Sequence, residues 1–173
     1  MLNVGRKLLA KSIAMMLIVA GCGQSRDIAP SSATIGSQIA TVFEVIDGDT
    51  LDLSINGHRE RVRLIGVDTP ETKHPRKPVQ CFGHEASAYT ASLLPRGTKV
   101  RLERDVEARD FYDRLLLYLY RRSDNMFINL ELVRQGYAHV LTIAPNVVYV
   151  DRFVAAAGDA QAYKRGLWQA CRG

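Results

Sequence analysis

Residues 51–67 constrain this chain more tightly than any other stretch. Leu51-Asp52-Leu53-Ser54-Ile55 alternates apolar and polar side chains, Asn56-Gly57 follows, and residues 59–67 alternate again. A period of two puts successive side chains on opposite faces of a strand, and Asn-Gly tolerates the positive φ angles of a two-residue hairpin turn. The stretch therefore predicts an antiparallel hairpin, with Val62 and Leu64 on one face and Arg61, Arg63 and Ile65 on the other. Residues 39–46 are β-branched and apolar and lead into the turn Asp47-Gly48, while 98–104 and 115–120 read as two further strands. Helical spacing of Ala86, Tyr89 and Leu93 predicts a helix over 85–94. A short helix over 129–134 has Asn129 as its cap and Gly136 as its stop, and an alanine-rich helix over 151–165 stops at Gly166. Five short antiparallel strands leave few open edges if they close into a barrel. The expected class is α+β, mainly β: a five-stranded barrel with about three helices.

The first residues belong to a different kind of segment. Arg6, Lys7 and Lys11 precede the apolar run Ile13 to Ala20, which is too short to span a bilayer as a stable helix. The run ends in Val19-Ala20-Gly21-Cys22, which resembles a bacterial lipobox. On that reading residues 1–21 are a signal peptide, Cys22 carries a lipid, 22–37 form a flexible tether, and 38–173 form the domain. The expected location is the cell envelope, anchored to a membrane; an ordinary secretory peptide would instead release the protein. The formal charge of +5 falls to +2 once residues 1–21 are set aside, so net charge argues only weakly for a polyanionic partner. With Cys22 lipidated, Cys81 and Cys171 remain, either as a bridge in an oxidising compartment or as two separate thiols.

Four segments hold most of the informative polar residues: Asp47-Gly48-Asp49-Thr50, Arg63 to Thr72, the basic loop His74 to Pro78, and Arg109 to Arg114. Phosphodiester hydrolysis needs a cation against the phosphate, hard oxygen ligands for that cation, fixed donors for developing charge and a group that orients water. Asp49 and Asp68 offer oxygen ligands, and the want of a Cys/His cluster speaks against zinc. Arg63 and Arg114 are forks suited to phosphate oxygens, and Glu71, stiffened by Pro70, can position or activate water. Each segment alone has a plainer reading: Asp-Gly is a turn, Arg63 a strand-face residue, Tyr112 a packed aromatic.

Taken together, the three acidic and arginine segments resemble the staphylococcal nuclease family in order and spacing. The likeness continues through Lys73-His74-Pro75, Gly83 with Glu85-Ala86-Ser87-Ala88, Leu132 to Gly136 and Ala162 to Trp168, covering residues 39 to 168. The resemblance implies an OB-fold barrel and Ca²⁺-dependent cleavage of DNA and RNA to 3′-phosphates. It implies Asp49 and Asp68 as calcium carboxylates with the Thr69 carbonyl beside them, and Arg63 and Arg114 on the attacked phosphate. Glu71 would be the general base or water-orienting group, Tyr112 a contact to a neighbouring phosphate, and Lys77 a basic residue beside the substrate path. A bridge between Cys81 and Cys171 fits exported relatives. No obligate protein partner is implied, and a monomer is expected.

The pattern also departs from the family. Phe111 stands where the prototype has a phosphate-contacting lysine, Thr142 and Ala144 where it has two tyrosines, and Asp113 where it has glycine. Base stacking on an aromatic is worth ~1–3 kcal/mol, so weaker substrate affinity than the prototype's is expected. Asp113 can pair with Arg114, with Arg109, or with solvent. The competing reading is a catalytically silent, nucleic-acid-binding OB-fold lipoprotein; the acidic and arginine residues, all present here, weigh against it.

Overall fold

The computed structural model describes residues 38–73 and 78–171. Residues 1–37, with Cys22, the signal peptide and the tether, lie outside the described residues, as do 74–77, with Lys77. Strands β1 (Gln38–Asp47), β2 (Thr50–Ile55), β3 (His58–Leu64) and β4 (Gly66–Asp68) come first, followed by helix α1 (Gly83–Leu93). Next come β5 (Lys99–Glu103), β6 (Leu115–Arg121), β7 (Met126–Phe127), α2 (Ile128–Arg134), β8 (His139–Leu141), α3 (Val150–Ala162) and α4 (Leu167–Ala170).

The hairpin forms where its alternation requires. β2 pairs β3 antiparallel from Thr50↔Arg63 to Ile55↔His58, with Asn56 and Gly57 both at positive φ in the turn. The sheet runs β3-β2-β1-β5-β6-β7, and β3 also pairs β6, closing the five main strands into a barrel. That closing pair is parallel (Val62↔Leu115, Arg63↔Leu116, Leu64↔Leu117), where the strand pattern led us to expect antiparallel neighbours throughout. Local alternation specifies which face each residue shows, not which strand meets the far edge. Leu51, Leu53, Val62, Leu64, Val100, Leu102, Leu117 and Leu119 fill the interior. Burying each such side chain stabilises by roughly 1.5–3 kcal/mol.

Several local expectations change. Ile65 is buried rather than on the arginine face, because the chain leaves the strand there and turns through Gly66 at φ +81°. In α1 the buried positions are Gly83, Ala86, Thr90 and Leu93, while Tyr89 is half-buried and stacks on Tyr137 at 4.0 Å between ring centroids. Asn129 does not cap α2, which begins one residue earlier at Ile128. Its fully buried amide instead donates to the Ile65 and Leu117 carbonyls at 2.9 and 3.2 Å and accepts from the Leu119 N–H at 3.0 Å. It thereby ties α2 to β6 and to the β3–β4 turn. The last helix is also shorter than expected, and a fourth short helix, α4, follows Gly166.

Cys81, just before α1, is bonded to Cys171 at the end of α4, across 90 residues. The bridge expected from the cysteine count and from the family resemblance is present.

Candidate active site

The site is assembled from the end of the β1–β2 hairpin and the segment that follows β3. Gly48 lies so close to Thr69 that a Cβ there would come within 2.7 Å of the Thr69 hydroxyl, so only glycine lets the two segments meet. The contact is fixed by Asp49, whose Oδ2 accepts from the Thr69 N–H at 2.9 Å and from its hydroxyl at 3.1 Å. The Thr50 hydroxyl donates to the other oxygen, Oδ1, at 2.9 Å. From the opposite side the Thr90 hydroxyl donates to the Gly48 carbonyl at 2.6 Å, so α1 braces the turn.

Arg63 sits at the centre. Its Nη1 donates to the Leu64 and Val67 carbonyls at 2.9 and 2.6 Å, closing the bend into β4 around the guanidinium. Its Nη2 lies 3.0 Å from Asp68 Oδ1 and 3.2 Å from Asp49 Oδ2, so one cation faces two carboxylates. The Arg63 side chain is 12% exposed, against the solvated face that a strand arginine has by default. Burial, with Asp49 adding repulsion, pushes the Asp68 carboxyl above the usual carboxylate range despite the pull of Arg63.

Glu71 follows at once. Its Oε1 accepts from the Lys73 N–H at 2.7 Å, while its own N–H donates to the Gln80 side-chain oxygen at 2.8 Å. Asp47 reaches the same place from β1 and accepts from the Thr72 hydroxyl at 2.9 Å. Its carboxyl lies beside that of Glu71, and the two are shifted in opposite directions. The Lys73 N–H holds Glu71 below its ordinary value, whereas burial pushes Asp47 up. Of the two, Asp47 is therefore the first to take up a proton as pH falls, and Glu71 the one that keeps its charge longer.

Arg114 enters from the loop before β6. Asp110 holds it twice, accepting from Nε at 2.6 Å and from the backbone N–H at 3.0 Å. That grip aims the outer edge of the guanidinium away from Asp110. A cleft of ≈ 310 Å³ is lined by Arg63 and Arg114 together, with Phe111, Leu141 and Ile143 among its walls. Asp113 adopts φ +63° and pairs with Arg109 at 3.5 Å, so of the partners open to it the structure selects Arg109, not Arg114. Tyr112 is exposed, with the Arg114 guanidinium 5.4 Å from its ring centre.

The residues singled out from sequence thus converge: Asp49, Arg63, Asp68 and Thr69 in one hydrogen-bonded group, Glu71 beside them, Arg114 across the cleft. Sequence reading missed Asp47 and Asp110, the carboxylates that set Glu71's charge and Arg114's aim. Nothing in their local pattern marks them, because each acts on a partner placed by a loop.

Among the described residues no three Asp, Glu, His or Cys side chains gather into a metal cage. The donors shown here are the Asp49 and Asp68 carboxylates, hard oxygen groups facing a single guanidinium, with Thr69 held against Asp49. Such a set fits a calcium- or magnesium-type cation that fills its remaining positions with water and substrate oxygens.

The staphylococcal nuclease homologue family profile matches residues 61–170. The chain is 41% identical over 131 residues to the thermonuclease of Staphylococcus hyicus, covering 76% of each chain. It is also 41% identical over 139 residues to the thermonuclease of Staphylococcus intermedius, covering 80% of this chain and 81% of that one. Endonuclease YncB of Bacillus subtilis is 38% identical over 130 residues, 74% of this chain and 60% of its own length.

Proposed function

The chain belongs to the staphylococcal nuclease family, and from that premise we propose that it is a calcium-dependent endonuclease that hydrolyses DNA and RNA to products ending in 3′-phosphates. Nucleic acid is its substrate, as the thermonuclease and endonuclease names of its relatives imply. The single observation that carries the finer reading is Arg63, poised between Asp49 and Asp68 and facing Arg114 across one cleft.

The chemistry follows from what each residue has to offer. Asp49, Asp68 and the Thr69 carbonyl would hold Ca²⁺, which supplies charge neutralisation at the phosphate and a low-barrier place for water. Nη2 of Arg63 is the arm that would meet a phosphate oxygen, while Nη1 stays on the Leu64 and Val67 carbonyls and keeps the fork in place. Arg114, aimed by Asp110, meets the phosphate from the other wall. Two forks fixed in advance stabilise the charge that builds on the pentacoordinate phosphorus without having to reorganise. Glu71, kept ionised by the Lys73 N–H, orients a water and takes its proton as the oxygen bonds to phosphorus. The P–O5′ bond breaks, the 5′ oxygen takes a proton from solvent while Glu71 later returns its own, and the phosphate remains on the 3′ side.

Export and lipid anchoring through Cys22 form part of the same proposal, supported by the basic start, the apolar run and the small residues before the cysteine. Metabolic labelling with a tagged fatty acid should mark the wild type and not Cys22→Ser; equal labelling of both would return the secretory alternative. A single domain with its own core supports a monomer, and one light-scattering mass would check it.

The enzymatic reading is tested with the purified domain and single-stranded DNA, with and without a calcium chelator, beside Glu71→Gln. Cutting that needs calcium and is lost in the variant is expected. Intact DNA in the presence of calcium, with the protein folded, would hand the site to the silent binding reading.

A further inference from the structure

Strand β3 carries more cationic charge than the reaction uses. Alternation puts Arg59, Arg61 and Arg63 on one face of the strand, across from Ser54, Asp52 and Thr50 of β2. Only Arg63 belongs to the site. Alternate residues of a strand are about 7 Å apart, which is the scale of the step between successive phosphates of an extended nucleic acid strand. The three arginines therefore leave β3 along one line that begins at Arg63, with the Arg59 and Arg61 guanidiniums drawn together on Asp52.

The row borders an open cleft of ≈ 460 Å³ lined by Asp52, Arg59, Arg61, Tyr112 and Arg114. Arg114 also lines the catalytic cleft, so the two clefts adjoin at a residue the proposed mechanism places on the phosphate. We propose that Arg59 and Arg61, with Tyr112, form a second phosphate-binding groove that holds the backbone of a single-stranded nucleic acid beyond the bond being cut. This rests on the nuclease reading and extends it.

Asp52 makes the groove a built one. It is 2% exposed, yet it accepts from Arg59 Nε at 2.6 Å and from Arg61 Nη2 at 3.2 Å, with Arg61 Nε on its other oxygen. One carboxylate needs one cation, and here it holds two, each about half exposed. Arg61 uses Nε and Nη2 on Asp52, one side of its fork, so that Nη1 takes no part in that pair. Arg59 lies over the Phe43 ring at 4.2 Å, and Arg96 covers the same ring at 4.2 Å, so the cationic row continues past β3. Glu44 takes one further contact from Arg59 at 3.1 Å, an exposed pair of little strength.

The neighbouring acids are occupied elsewhere: Asp110 by Arg114, Glu60 by Arg109. Tyr112 lines this cleft at 75% exposure, and Phe111, on the wall of the catalytic cleft and 96% exposed, meets it edge to face at 5.5 Å. Exposed aromatics beside a basic groove suit a strand whose bases are unstacked, which is why the occupant is a single strand.

The test compares wild type with Arg59→Gln/Arg61→Gln on a single strand long enough to fill both clefts and on a dinucleotide. We expect KM for the long strand to rise about tenfold with kcat within about twofold, and no change on the dinucleotide. Binding of the same strand under chelator, read by fluorescence anisotropy, should lose about 1.4 from its salt slope, ~0.7 for each phosphate contact removed. The same losses are expected in an Asp52→Asn background, where no buried carboxylate is left without a partner and only the exposed Glu44 loses its contact. An equal loss on both substrates, or no loss on the long strand, overturns the groove. A wild type that binds the strand with the full slope but cuts neither substrate would overturn the nuclease reading and leave the groove standing.

Discussion

Arg63 does two jobs with one side chain, and the two can be separated. Nη1 closes the bend after β3 by serving two carbonyls, while Nη2 serves the site. Lysine has neither the plane nor the fork to reach all four acceptors. Arg63→Lys should therefore lose cutting by about 10²-fold or more and also lower the thermal midpoint. Arg114 is held by one carboxylate on a loop, so Arg114→Lys should lose a similar factor in rate with little change in the midpoint, as calorimetry beside a cleavage assay would show. Asp52 gives a second prediction, about pH. Burial raises its carboxyl, but the hydrogen bonds and charges of Arg61 and Arg59 outweigh that and hold it below its ordinary 3.8. A group lowered in the folded state contributes stability that is complete above the unfolded value and is lost as pH falls through the folded one. Asp52→Asn should thus be less stable than wild type by about 2 kcal/mol near neutrality. The gap should narrow only below pH 3.8, in denaturant titrations stepped through that range.

At the scale of elements, Asn129 matters more than its place in the sequence implies. Three hydrogen bonds from one buried amide join α2 to β6 and to the β3–β4 turn that presents Asp68. Truncation removes the partner of the Leu119 N–H and of the Ile65 carbonyl, each worth ~1–3 kcal/mol when buried, while the Leu117 carbonyl keeps the Ile65 N–H at 3.1 Å. Asn129→Ala should destabilise by about 3 kcal/mol, and its m-value should match wild type if packing alone is lost. The same residue marks where sequence reading reaches its limit. Asn before an apolar run is the pattern of a helix cap, and nothing local separates a cap from an amide aimed into the core. The hairpin was legible because alternation and Asn-Gly are local signals. The parallel β3–β6 closure was not, since pairing of the two outer strands depends on the whole barrel. The site divides likewise. Asp49, Arg63, Asp68 and Glu71 stand in two short motifs whose joint occurrence is informative, whereas Asp47 and Asp110 act through space on partners their own neighbours do not announce.

For the molecule as a whole, the cross-link decides how the chain's end is held. The bond from Cys81 to Cys171 closes 90 residues, enough to constrain the unfolded chain by ~4 kcal/mol in the loop-entropy view. In the folded state it fastens α4 beside β4 and β8: Cys81, Cys171, Leu167 and Trp168 border one cleft with Asp68, Thr69 and His139. The His139 and Trp168 rings meet edge to face at 5.2 Å, and the backbones of Gly136 and Gly166 touch so closely that a Cβ on either would come within 2.2 Å of a carbonyl oxygen. Those contacts are native packing and do not need the covalent bond, whereas the entropy term acts on the unfolded chain. Cys81→Ser/Cys171→Ser should therefore lose about 2–4 kcal/mol of stability while kcat below its lowered midpoint stays within about twofold of wild type. Chemical denaturation with a parallel cleavage assay reads both quantities. A variant as stable as wild type would mean the chain is already restrained without the bond. A collapse of kcat in a folded variant would mean that α4, through the cleft it shares with Asp68, positions the carboxylate that faces Arg63.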